Sequence, residues 1–198
     1  MITVSDESID KVFEFLDNLD EEAAIQLGNR FIREQPYLQT FVQAMTALDD
    51  DDDDESESEE VDSAIEIDLG EDQSMGEELN YLAIFIWKAF ELEGAAITTI
   101  PEKQIEAVSA SSMDDLYGLV KNSEDDNENE EVAKKHFKNM RQPALFSFLL
   151  SEIFGDPEDP GFNEDFTDED ANYLFLISNQ VLQILDEHVN GARLKVVH

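Results

Sequence analysis

Residues 79–90, LNYLAIFIWKAF, restrict what this chain can fold into more than any other stretch. Ten of the twelve are apolar or aromatic, and only Asn80 and Lys88 interrupt them. A run of that density must be buried on nearly every side, with other elements packed around it. The pattern reaches from about Glu77 to Glu93, which is long for a strand and fits a central helix. It falls short of the roughly 20 apolar residues that a bilayer span needs. Trp87, the only tryptophan, lies inside it and is expected to be a core residue.

The rest of the chain reads as helices of helical period. Ile9, Val12, Phe13 and Leu16 mark one from Asp6 to about Asn18, with Asp6 as its N-cap. A second should follow Glu21 and Glu22 and bury Ile25, Gly28, Phe31 and Ile32. It ends by Gln35, because a residue before proline is pushed out of the α region. Pro36 suits the first turn of a third helix carrying Leu38, Phe41, Val42 and Met45. Beyond Gly94, Thr99 and Glu102 read as a capping box for a helix to about Ala110, and Ser112 with Asp115 as the start of another. A helix from Glu130 to Arg141 would turn Ala133, Phe137 and Met140 inward. Pro143 opens the next, with Leu145, Phe148 and Leu149 inward. Thr167 and Asp170 cap a long last helix through Tyr173, Leu174, Ile177, Val181, Ile184 and Leu185, stopped at Asn190-Gly191. A weak alternation at Ile65, Ile67 and Leu69 allows a short strand. The fold class expected is therefore all-α, a helical bundle.

Two landmarks occur twice in the same order. Gln35-Pro36-x-Leu38-x-x-Phe41-Val42 is echoed by Gln142-Pro143-x-Leu145-x-x-Phe148-Leu149, and Asn80-Tyr81-Leu82 by Asn172-Tyr173-Leu174. The expectation is a bundle of two duplicated helical modules, 21–94 on 131–188, with long acidic loops where insertions are tolerated. Phe85 then matches Ile177, and Trp87 matches Asn179. As organisation this gives an N-terminal module 1–121 with an acidic loop 49–76, an acidic linker 122–130 and a second module 131–198, packed as one unit.

Charge bounds the function. The chain has 49 acidic and 12 basic residues and a formal net charge of −37. Residues 49–60 hold ten acids, yet a large negative excess remains without them. Such a field repels nucleic acid and anionic membranes and attracts basic protein surfaces. It also suits solvation in salt. The acidic run itself offers nothing to bury and is expected to be dispensable for folding. No cysteine is present, which excludes disulfides, thiolate metal sites and a cysteine nucleophile, and fits a reducing compartment. With no basic and apolar leader at the start and no transmembrane run, the expected location is cytoplasmic.

Catalytic patterns are missing. His136, His188 and His198 are dispersed, with no HExxH, no Gly-rich phosphate loop and no GxSxG. His136 reads as a surface residue among lysines, and His188 as a partner of a helix C-terminus. Residues 156–167, DPEDPGFNEDFT, place Gly161 as an EF-hand would, but Pro160 and Thr167 stand where ligands belong. Asn80 and Asn172 are expected to satisfy the Gln-Pro breaks, and Tyr81 and Tyr173 to be core residues with hydroxyls at the rim. Lys134, Lys135, Lys138 and Arg141 form a cationic stripe suited to docking an acidic loop. Together these features describe a non-enzymatic acidic interaction protein with no cofactor, binding a basic protein as a regulator, inhibitor or immunity or antitoxin-like shield. A DNA-mimic inhibitor and a metal-dependent hydrolase using carboxylates are the alternatives.

Overall fold

The computed structural model describes residues 1–46, 75–121, 141–155 and 167–191. These contain seven α-helices and no strand: α1 (Asp6–Asp17), α2 (Glu21–Glu34), α3 (Pro36–Thr46), α4 (Met75–Leu92), α5 (Glu102–Lys121), α6 (Pro143–Phe154) and α7 (Asp168–Asn190). The acidic run 49–60, the possible strand at 61–69, the linker 122–130, the helix expected from Glu130, the EF-hand-like stretch and the C-terminal tail lie outside the described residues.

α4 is apolar on almost every face. Leu82, Phe85, Ile86, Trp87, Ala89 and Phe90 are all fully buried. It packs against α7, α3 and α1, while α7 packs against α5 and α6 in addition. Phe85 stacks on Phe148 of α6 with ring centroids 4.1 Å apart, and Phe13 of α1 meets both edge-on. That three-ring cluster joins α1, α4 and α6, a geometry aromatic rings prefer. Both Phe85 and Ile177 are buried, as are Trp87 and Asn179.

Several boundaries depart from the pattern-based expectation, each for a local reason. Ser5 rather than Asp6 caps α1: its backbone is extended and its hydroxyl accepts from the Ser8 N–H. Asp6 sits inside the first turn, where the helix dipole favours an acid. On α2 the buried stripe is Ala24, Leu27, Gly28 and Phe31, and Ile25 and Ile32 are only half-buried at its flanks. α4 starts two residues before Glu77, at Met75. α5 begins at Glu102, with the Pro101 carbonyl accepting from the Gln104 and Ile105 N–H groups, so Thr99 lies too early to cap it. It also runs unbroken past Ser111 and Ser112. Serine in a helix interior costs well under ~1 kcal/mol, too little to divide a helix. Thr167 and Asp170 do form a complete capping box on α7. Gly94, at φ +83°, ends α4 in a conformation that side chains resist. Gly191, which follows α7, stays right-handed at φ −74°.

Candidate functional site

The two Gln-Pro breaks organise the polar interior. Each glutamine follows or precedes a helix end and takes nearly the same backbone, φ −130° and ψ 53° at Gln35, φ −126° and ψ 63° at Gln142. Proline disfavours the α region for its predecessor. Both side chains are buried. A buried primary amide needs partners for its oxygen and its N–H groups, and both find them on an extended stretch of main chain. Gln35 donates to the Thr98 carbonyl at 3.1 Å and accepts from the Ile100 N–H at 3.1 Å. Gln142 donates to the Ile2 carbonyl at 2.9 Å and accepts from the Val4 N–H at 2.8 Å. In both cases the held segment leads straight into a helix, α5 in the first and α1 in the second.

Around Gln142 the clamp has a second tier. Asn190 accepts from the Ile2 N–H at 2.7 Å and donates to its carbonyl at 2.8 Å. Asp186 accepts from both Gln142 and Asn190, which fixes the orientation of each amide. Arg141 balances that carboxylate at 2.7 Å and reaches Glu187 at 2.6 Å. Arg141 was expected to join a lysine stripe that docks an acidic loop. It is instead neutralised by two acids of α7, and Lys134, Lys135 and Lys138 lie outside the described residues.

The helix that follows each held segment is gripped a second time. Glu93, just past α4, accepts from the Ser5 N–H and from the Ser5 and Ser8 hydroxyls. Those hydrogen bonds, Ser5's first, hold its carboxyl below the usual range. His188, near the end of α7, contacts Thr98 Oγ1 at 3.1 Å and Gln104 Oε1 at 3.0 Å. Burial lowers its pKa, so it favours the neutral ring. It stands in the last turn of α7, the helix C-terminus expected of it. His136 and His198 fall outside the described residues.

Asn80 does not reach Gln35. It accepts from Gln39 Nε2 one turn further along α3, at 2.9 Å, and donates to the Gly76 carbonyl. Asn172 is exposed. Tyr173 is half-buried and donates to the Met45 carbonyl at 2.6 Å, at the end of α3. Tyr81 is half-buried with its pKa raised by burial.

Pattern reading did not single out Glu78, in the first turn of α4. It is 0% exposed, and neither carboxylate oxygen has a hydrogen-bond partner. Burial, reinforced by Glu152 of α6, pushes its pKa up to about 8, and burial raises that of Glu152 as well. A carboxyl in that setting is protonated at neutral pH. No group of three or more His, Asp or Glu among the described residues is placed to hold a metal ion. Nor is any helix among them long and apolar enough to cross a membrane.

The two segments held by Gln35 and Gln142 were not expected either, although the sequence carries a sign of their equivalence. Residues 3–12, TVSDESIDKV, run parallel to residues 99–108, TIPEKQIEAV. Thr3, Ile9 and Val12 recur as Thr99, Ile105 and Val108, and Val4, Asp6 and Asp10 recur as Ile100, Glu102 and Glu106. Both stretches begin outside the helices on which the eye looks for repeats. No protein-family model matches the chain, and no curated protein or solved structure is significantly similar to it.

Proposed function

We propose that this chain is a non-enzymatic interaction protein that binds a basic protein partner, as a regulator, inhibitor or immunity-like shield. The observation that carries this reading is where its cations go. Lys11 pairs with Glu7, Arg30 with Glu34 and Glu91, Lys88 with Glu91, and Arg141 with Asp186 and Glu187. Among the described residues these cations are neutralised by the chain's own acids, and the net charge of −37 leaves the outward field to carboxylates. On α1, Asp6, Asp10, Glu14 and Asp17 are exposed and share one face at helical spacing. A basic surface would be steered to such a face and gain specificity there.

The DNA-mimic alternative draws on the same row, whose first carboxylates lie four residues, or about 6 Å, apart along the helix axis. The hydrolase alternative needs carboxylates that converge on an open cleft, and Glu78 is sealed from solvent. The absence of cysteine supports a reducing compartment such as the cytoplasm.

Duplicated modules are part of the same proposal. The matching backbone of Gln35 and Gln142, and the paired burial of Phe85 and Ile177, support it. Co-purification from native lysate across a salt series tests the function. A basic protein recovered at low salt and lost by a few tenths molar is the expected result, since exposed charges are screened beyond about 8 Å at physiological ionic strength. Recovery of no partner at any ionic strength would leave the acidity to solvation. Displacement of the partner by DNA would favour the mimic.

A further inference from the structure

We infer that the chain is a fused pair of equivalent units, 2–93 and 98–190, that exchange their N-terminal arms. The inference rests on the duplication proposed above and redraws its boundaries. An arm is an extended segment followed by a helix: residues 2–4 with α1 in the first unit, residues 98–100 with α5 in the second. Each arm is held by the glutamine of the other unit. Gln35, in the first, grips Thr98 and Ile100; Gln142, in the second, grips Ile2 and Val4. Both clamps take a carbonyl and the N–H two residues on, and in both the helix starts two residues after that N–H.

Packing repeats the exchange. α1 rests on α4 of its own unit and on α6 of the other, and α5 rests on α7 of its own unit and on α3 of the other. The α3–α4 contact has its counterpart in α6–α7. The α4–α7 contact pairs the two equivalent helices with each other, as a two-fold axis between the units requires. Glu93 at the end of α4 touches Ser8, and His188 near the end of α7 touches Gln104, the residue matching Ser8. Buried Val4 and Ile100, and buried Ile9 and Ile105, fill equivalent places. The arms are therefore the interface of an internal pseudo-dimer, and the partner each fits is the other half of the same chain.

Amide hydrogen exchange on the full-length protein tests this, with Gln142→Ala and Gln35→Ala compared at one pH and salt. Losing both bonds of a clamp should raise local opening about tenfold or more. Gln142→Ala should speed exchange at Val4 and through the first turns of α1 while α5 stays protected. Gln35→Ala should do so at Ile100 and the start of α5 while α1 stays protected. If both variants instead loosen their own neighbouring helices and leave the distant arms protected, arm exchange is wrong and the duplication still stands. If one variant acts across and the other does not, the units are not equivalent and the duplication fails too. Gln142→Met and Gln35→Met keep the side-chain volume while removing both bonds. They should give the same crossed pattern where the alanine variants do not fold.

Discussion

Trp87 shows how much one side chain holds together. It is 0% exposed, lies 5.4 Å from the Phe31 ring, and carries the Arg30 guanidinium 4.8 Å above its own ring. Arg30 in turn is fixed by Glu34 and Glu91. Truncation to alanine should cost about 3–5 kcal/mol, measured by denaturant unfolding. A loss below about 1 kcal/mol would mean that the surroundings close over the gap. Glu78 makes a different prediction. Its folded pKa of about 8 lies above its ordinary value of 4.5, so between those limits the unfolded chain binds fewer protons than the folded one. Its ionisation therefore costs nothing below about pH 4.5, weakens the fold progressively as pH rises, and levels off past pH 8. Glu78→Gln should leave the melting temperature nearly unchanged at pH 5 and raise it at pH 8.5. An equal shift at both pH values would show that ionisation of Glu78 is not the cause.

Among the elements, α4 and α7 were the most legible, because long apolar runs and a capping box leave few alternatives. Thr167→Ala removes the cap of α7 and should cost about 1 kcal/mol, with helix loss by circular dichroism confined to that end. A neutral result would place the stability of that end in packing instead. The stripe on α2 was less legible, since β-branched Ile25 and Ile32 compete with Ala24 and Leu27 for the same interior and only the neighbouring helices decide. The break in α5 was wrongly expected because serine pairs resemble caps, and nothing local says whether a helix continues through them. The clamps were hardest to see. Gln35 and Gln142 were visible as a repeated Gln-Pro pair, but their partners are far away in the chain and are gripped through main-chain atoms, so only the faint likeness of residues 3–12 to 99–108 marks them.

At the scale of the molecule, an all-helical fold followed from periodicity and loop chemistry, whereas the route from one helix to the next depended on contacts that no local pattern encodes. The charge excess gives the whole-molecule prediction. With 49 acids against 12 bases, thermal stability should rise with added salt, and deleting residues 49–60 should raise it further at low salt with helicity unchanged. Unfolding caused by that deletion would assign the run a structural part. The clamps also bear on how such a protein can change over time. An amide that grips a segment only through its backbone N–H and C=O groups is indifferent to the side chains of that segment. Exposed Thr3 and Thr99 are free to drift, while buried Val4 and Ile100 must stay apolar and the clamps keep their hold only while the glutamines keep their amides. Two halves under that rule lose their resemblance quickly at the surface and keep it at a handful of interior positions. A distant relative would thus be recognised by a buried glutamine before proline, paired with an apolar residue two places ahead of a helix, and by little else.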